Sequence, residues 1–167
     1  AEPWTVTLVD TGDLTLTAGR LKRVRHYLNP NEDFCFTYGD GVADIDISAL
    51  INFHKKHGKL ATLTAARPPG RYGAINFGAG DSVSNFQEKP EGDGSWINGG
   101  YFVLHPDVIE LIDGDQCSWE SGSVVKRAEA NELQAYKHYG FWQPMDTLRE
   151  KNMLNDLWAS GSAPWKC

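Results

Sequence analysis

The chain has 167 residues, of which 41% are hydrophobic and 23% charged, and a formal net charge of -6. This length and composition fit a packed globular chain, expected as a single domain over residues 1–167. The acidic balance argues against a broad nucleic-acid or anionic-membrane surface, which needs stripes of Lys and Arg, but leaves room for a small phosphate pocket. No run of about 18 apolar residues occurs, so no membrane-spanning helix is expected. Cys35, Cys117 and Cys167 are scattered, with neither a disulfide framework nor zinc spacing. That usage fits a reducing, cytoplasmic setting, with Cys35 expected in the core. No basic-then-apolar leader is visible, and the chain enters a strand-like run almost at once, as a fragment of a longer protein would.

Thr5–Val9 is β-rich and ends at the turn cluster Asp10-Thr11-Gly12-Asp13. Arg20–Leu28 has apolar residues at 21, 24 and 28, a helical spacing, and Asn29-Pro30-Asn31 stops it. Phe34–Tyr38 reads as a buried strand running into the loop Gly39-Asp40-Gly41. Ser48 is placed to cap a helix that Gly58 ends at about His57. Leu60–Ala66 is a second buried strand. Ala74–Phe77 and Val83–Gln87 read as strands, and Trp96–Leu104 as an apolar strand interrupted by Gly99-Gly100. Pro106 opens a helix to about Ile112, and residues 122–131 form a weaker one. Leu133–Tyr139 is strand-like and Gly140–Pro144 a loop. A last helix opens at Thr147, whose spacing to Glu150 makes a capping box, with Leu148, Leu154, Leu157 and Trp158 as its apolar face. The early alternation of strand and helix predicts an α/β fold, and the strand-rich middle predicts a mixed sheet.

Four loops carry residues suited to ligand chemistry. Asp40, flanked by glycines at a strand end, can approach a ligand unobstructed, and its carboxylate suits Mg²⁺. Asp-Gly is equally a turn signal, and on this segment alone the turn is favoured. Glu88 and Lys89, before Pro90, place a hydrogen-bond acceptor and a compact cation at a strand end; an exposed ion pair there would be ordinary. Asn98 offers a donor and an acceptor beside Gly99 and Gly100, whose presence in a strand marks a bulge or a close backbone approach. Asp146 precedes a helix whose cap Thr147 supplies, so it is not required as a cap and is suited to a ligand. Asp40 and Asp146 together fit one divalent cation completed by phosphates and waters. Arg20, beside Gly19 at a predicted helix start, adds positive charge for phosphates. The five histidines, at 26, 54, 57, 105 and 138, share no metal spacing and receive no role. The pair His54 and His57 reads as surface.

Taken in order, the stretches Val9–Gly12, Gly19–Arg23, Phe36–Asp44, Pro68–Ala74, Phe86–Pro90, Ile97–Leu104 and Gly140–Arg149 resemble the glucose-1-phosphate cytidylyltransferases, with the tail Ala163–Lys166 also fitting. The resemblance implies a Rossmann-like nucleotide-diphospho-sugar transferase fold, a mixed β-sheet flanked by helices. It implies attack of a sugar-1-phosphate oxygen on the α-phosphate of CTP, with Mg²⁺ as cofactor and pyrophosphate released. By position, Asp40 and Asp146 match metal ligands and Lys89 the residue holding the sugar phosphate. Glu88, Asn98 and Gly73 match sugar-pocket positions, with Gly99 beside them, and Arg20 and Thr11 match positions near the nucleotide phosphates.

Two departures qualify that expectation. The family's opening G-G-x-G-T-R loop, which holds the nucleotide phosphates, has no counterpart in these 167 residues. The chain is therefore expected to be an incomplete, C-terminal two-thirds of the fold. Its exposed sheet edge would pair with another copy or with a complementary N-terminal fragment. Trp119–Arg127 replaces the family's acidic residue and Pro before an apolar helix, which leaves that helix in doubt. Three readings stay open: an enzyme completed by the missing segment, a sugar-phosphate-binding or assembly module, and an inactive remnant.

Overall fold

A four-stranded mixed sheet organises the molecule. It is seen in a computed structural model that describes residues 3–68, 74–88 and 95–166. The strands are β1 (Phe34–Thr37), β2 (Gly41–Ala43), β3 (Ala61–Ala66), β4 (Ala74–Phe77), β5 (Val83–Gln87), β6 (Ile97–Leu104), β7 (Leu133–Lys137) and β8 (Trp142–Pro144). The helices are α1 (Thr17–Arg23), α2 (Ile47–His57), α3 (Asp107–Glu110), α4 (Val125–Glu129) and α5 (Leu148–Ala159). The main sheet has the order β1-β6-β3-β7, while β2-β8 and β4-β5 form separate two-stranded ladders. β6 runs antiparallel to β1 and β3, and β3 pairs in parallel with β7. The expected mixed sheet with flanking helices is therefore found.

Apolar residues of β3 and β6 are buried on both faces, as central strands require. Phe102 and Leu104 pack with Leu21 of α1, Val108 and Ile109 of α3, and with Ile112 and Trp119 in one core. Trp119 meets the Phe36 and Phe102 rings edge-on, both at 5.7 Å.

Several expectations are corrected. Thr5–Val9 forms no strand: it has no ladder partner among the described residues, with Val6 73% and Leu8 92% exposed. β-rich composition needs a partner strand to become structure. Phe34–Tyr38 is an edge strand rather than a buried one, so its side chains alternate and Cys35 faces out instead of filling the core. The predicted helix at 20–28 starts earlier, at Thr17, and gives way to a 3-10 turn at Arg25–Tyr27. Asp46 caps α2, its side chain accepting the Ala49 N–H, because the helix begins before Ser48; Gly58 ends it at φ 63°. Residues 142–144 are strand β8 rather than loop, since β2 offers a partner. On α5 only Leu154 is buried; Leu148 and Trp158, expected on its apolar face, are exposed, so that face is largely left in solvent. His54 is not a surface residue: it is 3% exposed. The doubted segment at 119 does form helix, a π-turn over Trp119–Val124 that leads into α4.

Candidate functional site

The glycine pair of β6 does what two glycines in a strand imply. Pairing with β3 passes from Leu63 opposite Phe102 to Ala65 opposite Asn98, so β6 bulges at Gly99-Gly100. A Cβ on Gly99 would lie 3.0 Å from the Thr64 carbonyl oxygen. Gly100 has φ 78°, a left-handed conformation, and a Cβ there would lie 2.9 Å from the Tyr38 ring. The bulge thus brings β6 backbone against Tyr38 and turns the start of the strand, with Asn98, toward the surface.

The short ladder β2-β8 closes the other side. Gly41 pairs with Pro144 and Val42 with Gln143, and the Met145 N–H donates to the Asp40 carbonyl at 2.8 Å. The ladder therefore sets Asp40 and Asp146 at one end of the two strands, both exposed. The Trp142 indole N–H donates to the Gly99 carbonyl at 2.8 Å, and the Tyr101 hydroxyl donates to the Gly41 carbonyl at 2.7 Å. These two bonds tie the ladder to the bulge. Burial pushes the Tyr101 phenol above its usual range, so it stays a neutral donor.

Between them lies a cleft of about 40 Å³, lined by residues that include Tyr38, Asp40, Asn98, Gly99, Tyr101 and Trp142. Its polar lining is fixed. Asn98 Oδ1 accepts the Gly100 N–H at 2.9 Å, and Asn98 Nδ2 donates to the Tyr38 hydroxyl at 3.5 Å. A larger concavity of about 750 Å³ runs along α5 past Leu148, Met153 and Leu157. It follows the face of a single helix, with Arg149, Asn152 and Asp156 also in its lining, and draws in no other segment, whereas the smaller cleft joins three distant ones.

Asp40, Asn98, Gly99 and the strand leading to Asp146 are thus brought together from segments far apart in sequence. Arg20 and Thr11 are brought together elsewhere. Arg20 Nη1 donates to Thr11 Oγ1 at 2.6 Å and Nη2 to the Asp13 carbonyl at 3.3 Å. Neither lines the cleft. Glu88 follows β5 and is exposed; it is not among the cleft's described lining residues. Lys89 and Gly73 lie outside the described residues. No group of three or more His, Cys, Asp or Glu able to hold a metal occurs among the described residues. Two exposed carboxylates with no soft ligand beside them fit a hard cation completed by phosphate and water oxygens.

Tyr38 and Trp142 were not singled out by sequence reasoning as site residues. Each is aromatic, and an aromatic beside glycines reads as core until its hydroxyl or N–H is seen to hold a loop. Glu120 was also missed. It accepts the Tyr38 hydroxyl at 2.5 Å, although 82 residues separate the two.

Comparison with known proteins bears on this geometry. The family model described as "Nucleotidyl transferase" matches residues 8–147. Over 165 residues, the chain is 62% identical to the glucose-1-phosphate cytidylyltransferase of Salmonella typhimurium, covering 99% of this chain and 64% of that protein. It is 37% identical over 166 residues to the probable glucose-1-phosphate cytidylyltransferase of Bacillus subtilis, with the same coverage. The chain thus spans about 64% of the length of the curated relatives it matches. Among solved structures, HddC from Yersinia pseudotuberculosis superposes with a TM-score of 0.64 at 18% identity, over 87% of this chain and 64% of that one. A putative glucose-1-phosphate thymidylyltransferase from Bacillus anthracis gives 0.62 at 18% identity, over 87% and 62%. The fold is that of the Rossmann-like sugar nucleotidyltransferases, and with the family model covering residues 8–147 the chain belongs to the nucleotidyl transferase family.

Proposed function

We propose that this chain carries the sugar-phosphate and metal side of a glucose-1-phosphate cytidylyltransferase site. The observation that supports it most is the convergence of Asp40, Asn98, Gly99, Trp142 and Pro144 on one cleft, with Asp146 just past the end of the β2-β8 ladder. The 62% identity to a glucose-1-phosphate cytidylyltransferase supports the choice of substrate class.

In this reading Asp40 and Asp146 hold Mg²⁺, and when bound the cation neutralises charge on the phosphoryl group under attack. Lys89 takes the sugar phosphate. Asn98, Glu88 and Gly73 meet the sugar hydroxyls, and Gly99 allows close approach. Arg20 and Thr11 stand toward the nucleotide phosphates. A glucose-1-phosphate oxygen forms the new bond to the α-phosphorus of CTP, the α–β bridging bond breaks, and pyrophosphate leaves with its electron pair. Side chains in such a reaction position and stabilise rather than react covalently. A cleft of about 40 Å³ admits one group of a sugar rather than the whole ring, so it forms the floor of the site. The outer edge of β1 has no partner strand among the described residues, which supports association along it with a second copy or a complementary chain.

The test incubates the chain with CTP, glucose-1-phosphate and Mg²⁺ and assays pyrophosphate, beside calorimetry with glucose-1-phosphate alone. Turnover lost in Asp40→Asn supports the enzyme. Binding without turnover supports a sugar-phosphate-binding module. Absence of both turnover and binding overturns the reading in favour of an inactive remnant.

A further inference from the structure

Glu120 lies outside every stretch that the cleft draws on, yet it is bound to that cleft's wall. It sits in the π-turn Trp119–Val124, whose first residue, Trp119, is buried against Phe36 and Phe102. Single π-turns are uncommon and recur near functional sites. The buried indole fixes the turn beside β1 and β6 and aims the next side chain at Tyr38.

The Glu120 carboxylate accepts from three hydroxyls. Oε1 takes the Tyr38 hydroxyl, and Oε2 takes Ser118 Oγ at 2.8 Å and Thr17 Oγ1 at 3.0 Å. Thr17 Oγ1 in turn accepts the Trp119 N–H at 2.8 Å. Burial pushes the Glu120 carboxyl up, but bonds from Tyr38, its own backbone, Ser118 and Thr17 outweigh it and hold the group below its usual range. Acceptor and donor are thus fixed in their roles.

With its proton committed to Glu120, the Tyr38 oxygen presents only lone pairs to its other neighbour, Asn98 Nδ2. Asn98 Oδ1 is meanwhile held by the Gly100 N–H. The amide is therefore oriented from both ends, and its remaining N–H is the donor left for a ligand. We infer that Glu120 is a positioning residue: by anchoring the Tyr38 hydroxyl it fixes the Asn98 amide so that the cleft offers a donor of set direction to a sugar hydroxyl. Without Glu120, the Tyr38 hydroxyl turns its proton on Asn98 Oδ1, competes with Gly100, and frees the amide to flip. This rests on the sugar-phosphate reading of the cleft. It names a determinant of which hydroxyl oxygen the cleft accepts.

The experiment uses the full 167-residue chain. Glucose-1-phosphate affinity is measured by calorimetry for Glu120→Ala, Tyr38→Phe, the double variant and Glu120→Gln. The Asn98 side-chain amide is followed by NMR without ligand. Glu120→Ala and Tyr38→Phe should each weaken binding about three- to tenfold, the worth of one hydrogen bond. The double variant should be no weaker than Tyr38→Phe alone, and Glu120→Gln, which keeps an acceptor oxygen for Tyr38, should stay within about twofold of the parent. The Asn98 resonances should shift in Glu120→Ala and in Tyr38→Phe. Independent, additive losses, or Asn98 resonances that do not move, overturn the inference. If the parent chain binds no glucose-1-phosphate, the sugar-phosphate reading fails, and the NMR arm still decides the link from Glu120 to Asn98. Tyr38→Phe keeps the test open should Glu120→Ala fail to fold.

Discussion

The carbonyl of Asp40 accepts the N–H of Met145 at 2.8 Å, so two residues 105 positions apart are hydrogen-bonded neighbours. That bond continues the β2-β8 ladder by one step and leaves Asp146 as the next side chain beyond it. Neither carboxylate lies in a stable element of its own; the ladder brings them to one end.

Replacing Asp40 or Asp146 by Asn should weaken Mn²⁺ or Mg²⁺ binding in the presence of glucose-1-phosphate and CTP by more than about tenfold. In the proposed site each change removes one of two carboxylates offered to the cation. Isothermal calorimetry, or the Mn²⁺ resonance signal, reads the loss. Unchanged affinity in both variants removes the metal from these residues.

Glu150 supports Asp146 from behind. Its Oε2 accepts the Asp146 N–H at 3.0 Å, the Thr147 N–H at 2.9 Å and the Thr147 hydroxyl at 3.1 Å, while Thr147 Oγ1 accepts the Glu150 N–H at 3.2 Å. Glu150→Ala should cost about 1 kcal/mol in urea unfolding, as lost caps do. It should also weaken divalent-cation binding, because the Asp146 backbone loses its anchor.

The glycine bulge tolerates little. Gly100→Ala meets both a positive φ and the Tyr38 ring, so it should destabilise the chain by about 1–3 kcal/mol and disturb the tyrosine near-ultraviolet signal. Trp142→Phe keeps the ring but leaves the buried Gly99 carbonyl without its indole donor, a loss of about 1–2 kcal/mol. Denaturant midpoints compare the two.

Stability should fall in mild acid. The Lys59 N–H donates to His57 Nδ1, so neutral His57 carries its proton on Nε2 and gives it to Thr62 Oγ1 at 2.7 Å. Thr62, fully buried, then donates to His54 Nδ1 at 2.8 Å, and His54 Nε2 faces Asp33 at 3.6 Å. Burial lowers the pKa of both rings from the usual 6.5. Asp33 opposes the shift at His54 and His105 adds to it; His54 and Lys59 add to it at His57. Both histidines therefore bind protons more readily unfolded than folded. Their contribution is complete above pH 6.5 and is lost as pH falls below that value toward the depressed folded pKa values. Urea midpoints at pH 7.5 and 5.5 should show the drop, and Thr62→Val should lower the midpoint at both.

Much of the fold was legible in the chain. Gly58 ends α2, β4 and β5 fall where alternating residues end at turns, and Thr147 with Glu150 caps α5. These are local signals, set by backbone conformation and near-neighbour hydrogen bonds. The errors came where a segment's state depends on distant partners. Val6 and Leu8 have strand chemistry but no partner strand among the described residues; Trp142–Pro144 has loop chemistry but pairs with β2; His54 looks solvated yet is buried and bonded to Thr62.

The same division runs through the site. By itself the sequence determined the candidate ligand residues, because a carboxylate between glycines, or an amide beside a glycine pair, states its chemistry within a few positions. Only the tertiary structure decided which of them meet. The β6 bulge and the β2-β8 ladder gather Asp40, Asn98 and Gly99 and set Asp146 just past the ladder's end, while Arg20 and Thr11 pair apart. It also exposed the support of Tyr38 by Glu120. A hydrogen bond across 82 residues leaves no periodic or local trace, since its geometry is set by the packing of Trp119 into the core.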